Sequence, residues 1–418
     1  MLNNKKRILV LSHDSYENFL NVILGSIETY EFIIHTLGQI ERFGIEDYVS
    51  TFLKKIENKE LEIDGVIGCG ENTCALAAII NHKIGAQAPA LKSVLSCQNK
   101  FISRMKMLNS IPDNIPDFVL LSPDRVKKDF NFPLFVKPVR SRLSSFVGEV
   151  NSKKELRYFL RCAQKGVNTI NKFYSELLKL GEFQHRYLDT HNNFLGESVL
   201  KGEQITVEGY VFNNKFKFFG IVHSLLMPNK ISLYRFDYPY SFGEGLDKKI
   251  YYIVEKVLRG FELNNSSFNV ELMVDSTKGD VFVIEAHSGL SLQFVSLIHN
   301  VTGYSPFEVA CDLVVGKEPE FKKLNTKYNV ASSCCLRQEK DCLVVGAPDS
   351  DKVKAIGSKY DNVTVQSLVD QGRRLSEYPQ DSKTFRYAII NIPGKNLDEI
   401  KKTLDDIVQD LDYTFEPI

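Results

Sequence analysis

The sequence predicts an α/β and α+β protein of more than one lobe, and three observations carry that prediction. The chain has 418 residues, too many for one ordinary hydrophobic core, so two or three lobes are expected. Residues 7 to about 95 alternate short apolar strands with amphipathic helices, the pattern of a parallel sheet. From about 194 to 287 strands predominate, and a smaller strand-and-helix unit follows from about 330.

In the first stretch, Arg7–Ser12, Glu31–Leu37 and Gly65–Cys69 read as strands, and Tyr48–Ile56 and Asn72–His82 as helices. Gly68-Cys69-Gly70 closes the third strand and opens a helix. Such a turn either presents backbone N–H groups to an anion or uses glycine only to make the turn, and the second reading is favoured. Phe132–Val139 is a further strand. Ser152 stands three residues before Glu155, a capping box, and the helix behind it sets Leu156, Phe159 and Leu160 on one face. Tyr174–Leu180 is helical. Gln204–Phe212, Phe216–His223, Ser267–Val274 and Val281–His287 alternate as strands, with a helix at Tyr251–Gly260. The last unit has strands near Ala331–Arg337, Cys342–Val345, Val363–Ser367 and Tyr387–Ile392, and a closing helix at Leu397–Leu411.

Composition excludes several classes. Lys plus Arg equals Asp plus Glu at 52 each, so the basic excess of a nucleic-acid binder is missing. No apolar run approaches a membrane span, and Ile8 to Leu11 is too short for a signal-peptide core. The eight cysteines contain no CxxC pair and fall in apolar stretches, which fits reduced core thiols and a cytoplasmic location.

The strongest chemical signal is the pair of strands Phe268–Asp275 and Val281–His287, joined by Ser276-Thr277-Lys278-Gly279-Asp280. A five-residue loop that pairs Asp275 with Val281 sets Glu271 opposite Glu285, and His287 shares their face. Two carboxylates side by side repel, and burial worsens the repulsion. A divalent cation relieves it, and oxygen ligands suit magnesium or manganese. Lys137 interrupts the apolar strand Phe132–Val139, so an anion or solvent must meet its ammonium, and a phosphate is a suitable partner. The loop Arg140-Ser141-Arg142-Leu143-Ser144-Ser145 after it could lie over phosphates. Glu197 to Gln204, by composition, is only a turn before a strand.

In this order and spacing, these segments resemble the ATP-grasp superfamily over nearly the whole chain, closest to its biotin-carboxylase-like and carboxylate–amine ligase members. Gln98-Asn99-Lys100, followed by Arg104 and Ile111-Pro112, is similar to the segment that opens the grasp region, which makes Lys100 a phosphate lysine. Lys137 in its Pro-x-x-x-Lys-Pro context resembles the second one. Glu197 to Gly202 resembles the hinge, whose backbone at Ser198, Val199 and Leu200 would meet the adenine. Gln204, with Glu203 beside it, stands where a ribose acid is expected, and Ser144 lies in the phosphate loop. Glu271 and Glu285 match the two metal acids. Arg235-Phe236-Asp237-Tyr238-Pro239 resembles an arginine-bearing segment of the substrate cleft. The tail, with Gly372-Arg373-Arg374-Leu375 and Phe385-Arg386-Tyr387, resembles the small C-terminal domain. The sequence departs from the usual Glu-x-Asn-Pro-Arg: in Glu285-Ala286-His287-Ser288-Gly289, His287 replaces the asparagine and Gly289 the arginine.

The resemblance implies a Rossmann-like preATP-grasp domain at 1–98, an ATP-grasp core of two α+β subdomains at 99–325 and a small α+β domain at 326–418. It implies ATP with magnesium or manganese as cofactors and small-molecule carboxylate and amine (or thiol) substrates. It implies no nucleic-acid or membrane partner, and it allows a homodimer. In the implied reaction the substrate carboxylate attacks the γ-phosphate and the nucleophile then displaces phosphate from the acyl phosphate, with Arg235 and Lys137 in catalytic roles. Arg235, then Arg337, are the candidates to replace the arginine missing at Gly289. Two rivals remain: a bicarbonate-activating carboxylase, and a nucleotide binder without turnover.

Overall fold

The computed structural model describes residues 5–12, 17–36, 44–122, 131–141, 145–170, 174–183, 187, 190–320, 324–381 and 383–418. The first lobe is a parallel sheet of order β2-β1-β3, built from β1 (Lys6–Ser12), β2 (Tyr30–Thr36) and β3 (Gly65–Gly68). Ile8 to Leu11 are at most 1% exposed, because helices cover both faces of such a sheet. Those helices include α1 (Glu17–Gly25), α2 (Ile45–Glu57), α3 (Glu71–Ile84) and α4 (Leu91–Gln98). A Cβ on Gly68 would sit 2.3 Å from the backbone of Thr73, so glycine there lets α3 press onto the end of β3.

Helix α5 (Lys100–Ser110) leads into an antiparallel sheet of order β4-β7-β5-β6, made of β4 (Phe118–Leu121), β5 (Leu134–Pro138), β6 (Gly148–Val150) and β7 (Phe194–Ser198). Helix α6 (Lys153–Ile170) buries Leu156 and Leu160 against it, as the periodicity requires. Ser152 Oγ accepts from the Glu155 N–H at 3.2 Å, while the Glu155 carboxylate reaches one residue further back, to the Asn151 N–H at 2.9 Å. Helix α7 (Tyr174–Leu180) packs onto the first lobe's core.

The largest sheet has eight strands, order β12-β11-β8-β9-β10-β13-β16-β15. They are β8 (Glu203–Phe212), β9 (Lys215–Leu226), β10 (Leu233–Tyr240), β11 (Ser266–Asp275), β12 (Asp280–Ser288), β13 (Val330–Gln338), β15 (Thr364–Ser367) and β16 (Phe385–Gly394). Helix α8 (Glu244–Gly260) covers one face, and α9 (Leu292–Thr302) and α10 (Pro306–Val314) pack on the other. Helices α11 (Ser350–Lys359) and α12 (Leu397–Leu411) and the ribbon of β14 (Cys342–Gly346) with β17 (Thr414–Pro417) complete the chain. Strands from before and after residue 325 join in this sheet, since β10 pairs with β13 from Arg235↔Cys334 to Tyr238↔Ala331.

That pairing makes Arg235–Tyr238 a central strand. Pro239, which cannot donate to a ladder, sits where the β9–β10 register shifts. No helix among the described residues is long and apolar enough to cross a membrane. The eight cysteines are free thiols, and Cys162, expected in the core, is exposed.

Candidate functional site

The hairpin of β11 and β12 sets Glu271 opposite Glu285, by a different register from the one expected. The turn is one residue tighter, with Asp275 facing Asp280, and a bulge between Glu271 and Leu272 restores the pair. Ile284 is the extra residue, and a bulge leaves such a residue out of the ladder. Its carbonyl accepts from Arg104 Nη2 at 2.8 Å. Arg104 therefore fixes the kink that aligns the two acids.

Glu285 meets Lys100, with Nζ to Oε1 at 2.6 Å. Burial opposes the charge on Glu285, but Lys100, His287 and Lys137 overcome it and bring its pKa down to about 2. Glu271 moves the other way: burial, then the neighbouring Glu285, raise it. Its Oε2 accepts from Gln204 Nε2 at 3.1 Å. Lys100 occupies the first position of α5, where the helix dipole disfavours a cation, so the Glu285 carboxylate carries it there.

Beside this pair lies a buried triad. Glu197 accepts from Arg104 Nε at 2.6 Å on one oxygen and pairs with Lys137 Nζ at 2.7 Å on the other, with all three side chains at most 5% exposed. Burial resists the charge on Glu197, yet the two cations hold its carboxyl below the ordinary range. Burial lowers Lys137. The anion that the sequence demanded for Lys137 is therefore, in this state, Glu197. The carboxylate of Glu197 points into the lobe, while Ser198, Val199 and Leu200 follow on a half-buried stretch. Gly202 after them has φ +130°, and a Cβ there would lie 2.3 Å from the Val274 carbonyl oxygen.

The structure thus gathers Lys100, Lys137, Glu197, Gln204, Glu271 and Glu285. His287 Nε2 is 3.9 Å from Glu285 Oε1. Among the described residues no group of three or more His, Cys, Asp or Glu is placed to hold a metal ion. The two carboxylates still fit a divalent cation: Glu271 is raised by the like charge that such an ion would offset, and Lys100 supplies the positive charge in its place. Ser144 lies outside the described residues.

Arg235 stands on β10. It pairs with Asp237 at 2.9 Å, and Asp237 also accepts from Ser332 Oγ at 2.6 Å. Arg337 is bound to Asp381 at 2.5 Å and to the Leu233 carbonyl at 2.8 Å. A side chain at Gly289 would be strained: its φ is +102°, and a Cβ would fall 2.7 Å from Cys74 Sγ on α3.

Two residues here had no role in the sequence reading. Arg104 follows Lys100 by one helical turn, and a second cation on that face was the available signal. Glu208 is on β8, in register with Asn269, which donates to it; the Ser291 N–H at the start of α9 donates to it as well. Burial pushes Glu208 up to about 8. Its signal was a lone acid inside an apolar strand.

Neither a family model nor a curated protein matches the sequence. Solved structures do match. An L-amino acid ligase from Bacillus licheniformis superposes with TM-score 0.74 at 14% identity, covering 99% of each chain. The biotin carboxylase domain of a 2-oxoglutarate carboxylase from Hydrogenobacter thermophilus, solved with MgADP, ADP and bicarbonate, gives 0.67 at 11% identity, covering 98% of this chain and 90% of that one. A phosphoribosylglycinamide synthetase from Anaerococcus prevotii gives 0.61 at 14% identity, covering 99% of this chain and 100% of that one. At these identities the likeness is one of fold: the chain has the ATP-grasp fold that its motifs resemble.

Proposed function

We propose that this chain is an ATP-dependent carboxylate–amine ligase that works through an acyl phosphate and releases ADP and phosphate. The observation that carries the reading is the facing pair Glu271 and Glu285, with Lys100 on Glu285 at 2.6 Å and Lys137 close enough to act on both electrostatically. Two acids and two lysines in one buried wall suit a polyphosphate with its cation. The likeness to solved ligases and to a carboxylase with MgADP supports the same class of chemistry.

In this reading Glu271 and Glu285 hold magnesium (or manganese), which neutralises charge on the phosphates when bound. Lys100 and Lys137 then turn from Glu285 and Glu197 toward phosphate oxygens, and Glu197 keeps Arg104 as its partner. The backbone of Ser198 to Leu200 meets the adenine, and Gln204 or Glu203 the ribose. A substrate carboxylate oxygen attacks the γ-phosphorus, the bond to the β-bridging oxygen breaks, and ADP leaves. The amine nitrogen next attacks the acyl carbon, loses a proton and expels phosphate. Positioning and charge stabilisation carry both steps.

The missing side chain at Gly289 favours one rival, a nucleotide binder without turnover. Hydroxylamine separates the two. A ligase incubated with ATP, magnesium, its carboxylate and hydroxylamine releases ADP and yields the hydroxamate. A binder yields neither.

A further inference from the structure

We infer that Arg104 is the positioning residue of the acid pair: it grips the bulge that turns Glu285 toward Glu271, and through that grip it sets the affinity of the pair for its divalent cation. The inference rests on the reading of Glu271 and Glu285 as metal acids and adds what places them.

The register gives the bulge its importance. From the turn, Asp275 faces Asp280, and the ladder runs through Val274↔Val281 and Met273↔Phe282 to Leu272↔Val283. Carried straight on, it would set Ile284 against Glu271 and Glu285 against Val270. Val270 is fully buried, in the core that α8 covers. A slip of one residue sends a strand's side chains to the opposite face. A straight ladder through these residues would therefore point Glu285 into an apolar core and leave Glu271 without its partner. The observed pairs resume at Glu271↔Glu285 and Val270↔Ala286, so Ile284 absorbs the shift.

Among the described residues β12 is the outer strand of its sheet, so no further strand holds the bulge from that side. Side chains hold it instead. Arg104, 1% exposed, donates from Nη2 to the Ile284 carbonyl at 2.8 Å and from Nε to Glu197 at 2.6 Å. Asn114, in the short helical turn Pro112–Asn114 behind α5, donates to the Val281 carbonyl at 2.9 Å. Both belong to the segment that opens with Lys100, which meets Glu285 at 2.6 Å.

The two bonds of Arg104 leave from two nitrogens. A guanidinium presents them as a rigid fork, whereas a lysine has one ammonium, which the Glu197 carboxylate would take. Arg104→Lys therefore leaves Glu197 with a cation, and Ser198 behind it in place, while it releases the Ile284 carbonyl. Groups that orient a metal ligand are typically worth about 10–100-fold in metal affinity.

The test is calorimetric titration of the full chain with a non-hydrolysable ATP analogue, once with Mn2+ and once in a chelator. Arg104→Lys should cost at least about tenfold in affinity with Mn2+ and leave the affinity in chelator near its wild-type value. A general loosening of the structure would weaken both alike. Deletion of Ile284 supplies a second measurement. The shortened strand sets Glu285 against Glu271 with no bulge, so the affinity with Mn2+ should stay near wild type, and adding Arg104→Lys to the deletion should no longer lower it. The deletion by itself decides if Arg104→Lys fails to fold. Unchanged affinity with Mn2+ in Arg104→Lys, equal losses with Mn2+ and in chelator, or a loss of about tenfold on deleting Ile284 would overturn the positioning role. A wild-type chain whose affinity does not respond to Mn2+ would overturn it together with the metal assignment. ADP formation separates it from the ligase reading. Mn2+-dependent binding that answers to Arg104→Lys, without turnover, retains the positioning role and refutes the ligase. Turnover whose Mn2+ dependence ignores Arg104→Lys retains the ligase and refutes the positioning role.

Discussion

Replacing Glu197 by Gln should damage the protein more than replacing either of its partners. Glu197 bridges Arg104 and Lys137 through its two oxygens, at 2.6 and 2.7 Å, and none of the three side chains is more than 5% exposed. Glutamine preserves volume but leaves two buried cations facing a neutral amide. Breaking a buried ion pair by removing one partner costs about 3–5 kcal/mol, and solvent screening at this burial offers little relief. For 418 residues unfolding together, about 2.1 cal/mol/K per residue gives roughly 1 °C of Tm for each kcal/mol, so thermal unfolding should shift down by roughly 3–6 °C. Lys137→Met should cost less, because Glu197 then keeps Arg104. The acid limb supplies a second readout. The folded pKa of Glu197 lies below its unfolded value of 4.5, so its contribution is present above that pH and is lost as pH falls through the lowered folded value. Glu197→Gln should lack that part of the acid loss. A Glu197→Gln melting temperature within about 1 °C of wild type would refute the triad as a source of stability, given the shift expected.

Other outcomes follow from the same geometry. Glu285→Gln should leave the fold standing and abolish ATP turnover in magnesium; an ADP-release assay at the wild-type rate would remove Glu285 from the metal pair. Lys137→Met should weaken nucleotide binding by about 2–5 kcal/mol, the usual cost of stranding a charged partner, and calorimetry with ATP checks it. Glu208 is held near 8 against an unfolded value of 4.5, so the native state keeps the proton more tightly and wild-type stability should fall as pH rises from about 4.5 to 8. Glu208→Gln should flatten that slope in melts taken across the interval, and an unchanged slope would assign it to another group. Gly289→Ala should lower the melting temperature, because its Cβ would meet Cys74 Sγ at 2.7 Å in a left-handed backbone, and Cys74→Gly in the same chain should recover the steric part.

The sequence announced most elements of this site, because strand alternation and charges in apolar runs are local signals. Lys137 inside Phe132–Val139 required an anion whatever the fold, and Glu271 with Glu285 required only a hairpin. Residues that act across the chain left a weaker trace. That Glu197 would be the anion for Lys137 depends on β5 pairing with β7 and on Arg104 arriving from α5, contacts between segments about 60 and 93 residues apart. The bulge at Ile284 was invisible for the same reason: nothing in the local text says that Arg104 will take its carbonyl. Strand β10 was missed because Asp237 and Pro239 argue against a central strand, and only Ser332 on β13 explains why Asp237 can be buried there. The close approach of Gly289 to Cys74 joins positions about 215 residues apart, which no spacing rule reaches.

The claim that matters most is that a carboxylate is phosphorylated by ATP on this fold. Incubation of the protein with ATP, magnesium, the amine and a substrate carboxylate labelled with oxygen-18 tests it directly. An acyl phosphate transfers one carboxylate oxygen to the departing phosphate, so the inorganic phosphate should carry one oxygen-18 atom per turnover, with ADP unlabelled. Unlabelled phosphate, or label appearing in AMP, would contradict the account.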